Sequence, residues 1–161
     1  MKLTVSVSFN EQNKTTMKSI NNNAPVICRK SILINAKPET IWALLTNIDQ
    51  WTNWQTDITK SKLNGELKPD STFEWKSGGL TINSTLRYIN ENKQIGWTGK
   101  TLGIYAIHNW LLTEENGQVK VEVEESMEGI LASLFKSMFV KQLETGMQNW
   151  LDLLKKESEK R

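Results

Sequence analysis

From Ile130 to Lys156 the chain has no proline and a single glycine, Gly146, and its apolar side chains recur three and four residues apart. That spacing predicts one long helix with an apolar stripe. The stretch just before it keeps a different period. "QVKVEVEESMEG", residues 118–129, sets valine against lysine or glutamate in strict alternation, the pattern of a strand with one buried face. A long amphipathic helix at the end of a run of strands can hide its stripe only by lying on the sheet those strands make.

The rest of the chain fits this frame. "VICRKSILINA" from Val26 reads as a strand. "KPETIWALLTNI" places Pro38 at a first helical turn and spaces Ile41, Leu44, Leu45 and Ile48 as one helical face. "DQWTNWQTD" reads as a second short helix. Six strands follow: "ITKSKLNGEL", Phe73–Lys76, Leu80–Ile89, "IGWTGKT", "IYAIHNWLLT" and residues 118–129, with Gly78-Gly79 as a tight hairpin. The fold class is therefore α+β, a run of antiparallel strands with the helices on one side. The domain spans residues 26–158. Residues 1–25 form an extension: "KLTVSVSF" alternates like a strand, and the asparagine-rich segment after it reads as a flexible link.

With 161 residues, 38% of them hydrophobic, the chain suits one domain with a real core. A net charge of +2 without a basic block argues against nucleic acid as a partner. No apolar run is long enough for membrane insertion, and no secretion signal is evident, so a cytoplasmic location is expected. One cysteine, Cys28, and one histidine, His108, cannot supply a structural zinc site. "TGKTLG" lacks the spacing of a phosphate-binding loop. No metal or cofactor is implied. Seven tryptophans are many for one small domain; they pack a core or line a hollow.

Four strings, "SILINAKPETIWALLTNIDQWTNWQTDI", "GELKPDSTFEWK", "IGWTGKTLGIYAIHNWLL" and "VEVEESMEG", resemble the START-like, or SRPBCC, superfamily, and within it the polyketide cyclase/dehydrase-like group. The resemblance covers about residues 27–156. It implies a helix-grip fold, in which a curved antiparallel sheet wraps the long C-terminal helix and two short helices follow the first strand, with a cavity between sheet and helix. Members include lipid carriers, aromatase/cyclases and stress-response proteins, so the fold alone leaves the role open.

Strand parity then selects the residues that face such a cavity. If Asn116-Gly117 is a two-residue turn, His108 lies opposite Glu125 and Trp110 opposite Val123. If "EENG" is a four-residue loop, His108 lies opposite Val123, with Glu125 diagonal to it. Either register puts His108, Trp110, Val121 and Glu125 on one face. Leu80, Ile82, Ser84, Leu86 and Tyr88 share a face on their strand, with Arg87 on the other, so no arginine is expected inside. Trp75 and Trp97 are further candidates for the lining. On the helix, Leu131, Leu134, Phe135, Met138 and Phe139 make up the first half of the stripe. Methionine and phenylalanine adapt to ligands of variable shape, so Leu131, Phe135, Met138 and Phe139 are expected to line the cavity. Leu143, Met147, Trp150, Leu151 and Leu154 read as ordinary core.

His108 with Glu125 is the one acid–base constellation available. Its plain alternative is a buried polar pair that satisfies itself. Cys28 has no evident base beside it, which argues against nucleophilic catalysis. Three functions remain open: binding of a small hydrophobic or aromatic ligand, a cyclase/dehydratase reaction that uses His108 with Glu125, and a protein-interaction or stress-response module. The chain is expected to be a monomer or a homodimer.

Overall fold

A computed structural model describes residues 17–160. The possible strand "KLTVSVSF" lies outside the described residues. A first strand, β1 (Val26–Ile34), leads into α1 (Pro38–Thr46) and a 3₁₀ turn (Ile48–Asn53). Then come β2 (Ile58–Asn64), β3 (Thr72–Ser77), β4 (Leu80–Asn90), β5 (Gln94–Thr101), β6 (Ile104–Glu115) and β7 (Gln118–Glu128). Two helices end the chain, α2 (Ile130–Leu134) and α3 (Lys136–Ser158). All seven strands form one antiparallel sheet in the order β1-β7-β6-β5-β4-β3-β2. The sheet curves around α3, which is the helix-grip arrangement.

Three of the hairpins turn on two residues with left-handed backbone: Gly78-Gly79 at φ 55° and 80°, Leu102-Gly103 at 45° and 73°, and Asn116-Gly117 at 50° and 81°. This backbone matches the natural twist of the paired strands. The last of these turns decides the register. Glu115 pairs with Gln118, His108 with Glu125, and Trp110 with Val123. The four-residue loop does not form.

Two expectations are corrected. The C-terminal helix is not continuous from Ile130. It breaks at Phe135 (φ −112°, ψ 34°), because α2 is held against β6 and β7 while α3 runs along β1 and α1. Tyr88 does not share a face with Leu86. A bulge at Arg87 shifts the β4–β5 register between Leu86 and Tyr88, and such an extra residue moves later side chains to the opposite face. Tyr88 therefore covers Gly96 and Asn109 on the outer face, where a Cβ on Gly96 would stand only 2.3 Å from the tyrosine ring. Arg87 is outside as expected, its Nε donating to Thr98 Oγ1 (3.0 Å).

Residues 17–25 are bound to the domain. They cross the outer face of the sheet. Asn109 Nδ2 donates to the Lys18 carbonyl (3.0 Å), the Asn21 N–H donates to Ser126 Oγ (3.0 Å), and Ile20 is buried.

On the inner face, Trp51 in the 3₁₀ turn is the centre of the core. Its ring lies 5.6 Å from Phe73, 5.8 Å from Trp97 and 5.1 Å from Trp150, and its indole N–H donates to the Leu45 carbonyl (3.1 Å). The contacts with Phe73 and Trp150 are edge-to-face, a geometry that adds to the burial of each ring. Buried Ile41, Leu44 and Leu45 fasten α1 to the same core.

Candidate functional site

Two rows of cross-strand neighbours on the inner face define the site. One row reads Leu86, Trp97, His108, Glu125, Cys28; the next reads Phe73, Ser84, Gly99, Ala106, Met127, Val26. The middle of the second row is small: serine, glycine, alanine. α3 passes above it with Phe139, Leu143, Gly146, Met147 and Trp150 facing down, residues spaced as one helical stripe. Large side chains around a small-residue floor leave a cavity of about 650 Å³. That size suits a small organic molecule. Trp75, Ile82, Trp97, His108 and Glu125 complete the inner wall, and Lys100, Thr101, Ile104, Lys141 and Gln142 stand toward the exposed mouth.

His108 carries the polar chemistry of this wall. Its ring stacks on Trp97, with centroids 4.6 Å apart and planes 12° apart, and tilts against Trp110 at 5.5 Å. Nδ1 is hydrogen-bonded to Glu125 Oε2. Nε2 is buried and has no hydrogen-bond partner among the described residues. Both residues are 9% exposed. An ionised carboxylate can only accept, so against it Nδ1 carries the proton, and Nε2 is an acceptor when the ring is neutral and a donor when it is charged. The other polar wall groups are already engaged or lie toward the rim. Ser84 Oγ, for example, accepts the Trp75 indole N–H (3.0 Å).

The structure brings Trp75, Trp97, His108, Glu125 and Phe139 together around the cavity. It places Trp110 and Val121 fully buried in the core, outside the cavity wall. Leu131 packs half-buried against the core. Phe135 and Met138 stand 52% and 47% exposed, because the break at Phe135 turns this part of the stripe away from the sheet. The helical wall comes instead from Leu143, Met147 and Trp150, which the sequence presents as plain core. Small residues at the inward parity, Ser84, Gly99 and Ala106, were the available signal for the hollow.

Cys28 also lies closer to the pair than its place in the chain suggests. It sits opposite Glu125 on β1. Burial pushes its thiol up from the ordinary range, and Glu144 and Glu125 add to this while Lys30 opposes it. A raised thiol is a poor nucleophile.

Residues 26–159 match the family described as polyketide cyclase / dehydrase and lipid transport. No curated protein matches the chain. Several solved structures share the fold. A hypothetical protein from Helicobacter pylori superposes with a TM-score of 0.78 at 16% identity, over 89% of this chain and 98% of its own. A START superfamily protein from Mycobacterium smegmatis gives 0.72 at 14%, over 83% and 97%. The di-domain ARO/CYC StfQ from the steffimycin biosynthetic pathway gives 0.74 at 12%, over 84% of this chain and 51% of its own, so the match spans about half of that protein. At these identities the likeness is one of fold.

Proposed function

Because the chain belongs to the polyketide cyclase / dehydrase and lipid transport family, we propose that it binds a small, flat, mostly apolar molecule in the cavity between sheet and α3, and that the ligand donates a hydroxyl hydrogen bond to His108 Nε2. The observation that carries this reading is the unpartnered, buried Nε2 in an apolar wall. A buried acceptor without a partner is costly, and a ligand hydroxyl repays that cost. Glu125 engages Nδ1 and so leaves Nε2 as the nitrogen that still needs a partner, which a ligand reaches by a small shift of the wall. Trp97 and Trp75 line the same wall and make it apolar and aromatic.

The test compares 2-naphthol with 2-methoxynaphthalene by calorimetry. The two are alike in shape, and only the first can donate. A neutral hydrogen bond is worth about 1 kcal/mol, so 2-naphthol should bind about fivefold more tightly. His108→Phe should keep the fold and abolish the preference. Equal binding of both probes to the wild-type protein, or a preference that survives in His108→Phe, sinks the reading.

A second reading draws on the His108–Glu125 contact itself. Nε2 would take a proton from a bound poly-carbonyl chain while Glu125 stabilises the imidazolium, as a cyclase/dehydratase requires. Loss of turnover of a poly-β-keto thioester in His108→Phe, with binding retained, would favour it. The binding reading needs only what the wall presents, and it is the one adopted.

A further inference from the structure

The β5–β6 turn and the α2–α3 corner meet at one end of the domain. Gly129, at φ 126°, is pressed against the Gly103 carbonyl, where a Cβ would come within 2.3 Å. Around this junction stand Leu102, Ile130, Leu134, Phe135 and Met138, at 64%, 78%, 70%, 52% and 47% exposure. Only one other large apolar side chain among the described residues is exposed, Leu33 at 44%. Apolar exposure is thus concentrated at this end rather than scattered, and a concentrated patch marks an interaction surface.

Leu102 adds an independent sign. Its φ is 45°. The other non-glycine residues with left-handed backbone are Asp70, Asn92 and Asn116, types that tolerate it. A leucine does not. The turn tip therefore bears both a strained backbone and an exposed apolar side chain. Local strain of this kind gathers at functional sites.

Charge decides what covers the patch. Lys100, Lys136 and Lys141 are exposed beside it, and none is in an ion pair among the described residues. Residues 98–104 and 129–143 contain no aspartate or glutamate. A second copy would set these lysines against themselves, since a two-fold interface repeats the same patch on both sides. Apolar tips ringed by unopposed lysines suit an anionic bilayer surface, where the tips enter the headgroup boundary and the ammonium groups meet phosphates. The patch also adjoins the cavity, since Lys100 and Lys141 beside it are among the cavity-lining residues.

We propose that this end of the domain docks on an anionic membrane surface, with Leu102, Ile130, Leu134, Phe135 and Met138 at the headgroup–acyl boundary and the cavity mouth against the bilayer. Docking requires no ligand and stands apart from the binding reading. No helix among the described residues is long and apolar enough to cross a membrane, so the contact is peripheral.

The full chain is sedimented with vesicles of phosphatidylcholine alone or mixed with phosphatidylglycerol. It should partition onto the mixed vesicles roughly tenfold better than onto the neutral ones, and lose that advantage near about 0.5 M salt. Leu134→Ser with Phe135→Ser, and separately Lys136→Glu with Lys141→Glu, should each weaken partitioning by about tenfold, with unchanged circular dichroism and melting. Lys68→Glu with Lys93→Glu, at the other end of the sheet, should change it by less than about twofold. The charge pair leaves the apolar side chains intact and so covers the case in which the serine pair fails to fold. No partitioning onto mixed vesicles, partitioning that ignores the patch variants, or a dimer that the serine pair dissolves would each overturn the proposal.

Discussion

Replacing Trp150 with alanine tests whether the C-terminal helix is docked through its tryptophan or merely lies over the sheet. Trp150 is 8% exposed, and its ring lies 5.1 Å from Trp51, 5.6 Å from Trp54, 5.7 Å from Trp110 and 6.4 Å from Trp75. Deleting a buried tryptophan usually costs about 3–5 kcal/mol. Here the ring also lines the cavity under the helix, so the substitution enlarges an existing hollow and strips neighbours from that side least. The lost aromatic contacts work the other way, at roughly 0.5–1.5 kcal/mol each beyond burial. Trp51 keeps Phe73 and Trp97 as partners, so part of the cluster survives. The balance falls near the lower end, about 3 kcal/mol. For a domain of this size that lowers the melting temperature by about 6–12 °C. A thermal melt followed by far-ultraviolet circular dichroism reads it directly. A fall of less than about 2 °C would show that the tryptophan cluster does not hold the helix, and the account of the core would have to be redrawn around Leu151 and Leu154.

Three other outcomes are expected. Gly96→Ala should lower stability by about 1–3 kcal/mol, because the new methyl collides with the Tyr88 ring and with Asn109 Oδ1 at 2.6 Å; an unchanged urea midpoint would mean that Tyr88 does not pack there. Cys28, buried and with its thiol pushed up, should react with Ellman's reagent only slowly in the native protein and fully in denaturant; rapid native labelling at neutral pH would show the thiol to be open. Asp49 accepts from Lys62 Nζ and from the Leu63 N–H (2.6 Å), which hold its carboxyl below the usual range. A depressed carboxyl stabilises the fold above its unfolded value, near about pH 4, and loses that effect as pH falls through its folded value. The wild-type advantage over Asp49→Asn should be under about 1 kcal/mol at neutral pH, since the pair is exposed, and should vanish on acidification; a gap that widens in acid would contradict the assignment.

Much of the architecture was legible because period and turn chemistry speak for themselves. "VKVEVEE" can bury only one face as a strand, and Gly78-Gly79 and Asn116-Gly117 carry the backbone that a two-residue hairpin needs. That His108 and Glu125 share a face followed from parity in both registers; their direct pairing waited on the two-residue turn. What failed were features set by contacts distant in sequence. The bulge at Arg87 leaves no mark in the alternation of "LTINSTLRYI", so Tyr88 was placed on the wrong face. The break at Phe135 reflects α2 being held by β6 and β7 while α3 follows β1, and helical spacing cannot register a change of direction of this kind. Once the helix turns, Phe135 and Met138 swing out, and Leu143, Met147 and Trp150 take their expected place in the wall. Lys100, Lys136 and Lys141 form no block along the chain; only the fold gathers them.

The strand order has a consequence for how the chain reaches its native state. β2 through β7 pair with their neighbours in sequence, so each addition closes a short loop. β1 does not. Its partners lie on β7, from Val26 with Met127 to Ile34 with Val119. Closing a loop of that length costs about 3 kcal/mol more entropy than closing a hairpin. The meander can assemble first, and β1, the first of the described strands along the chain, is then the last to find its place. A weakening change in β1, such as Ile32→Ala, should therefore show up as faster unfolding with little change in the refolding rate. A chevron whose refolding arm shifts instead would put β1 in the nucleus.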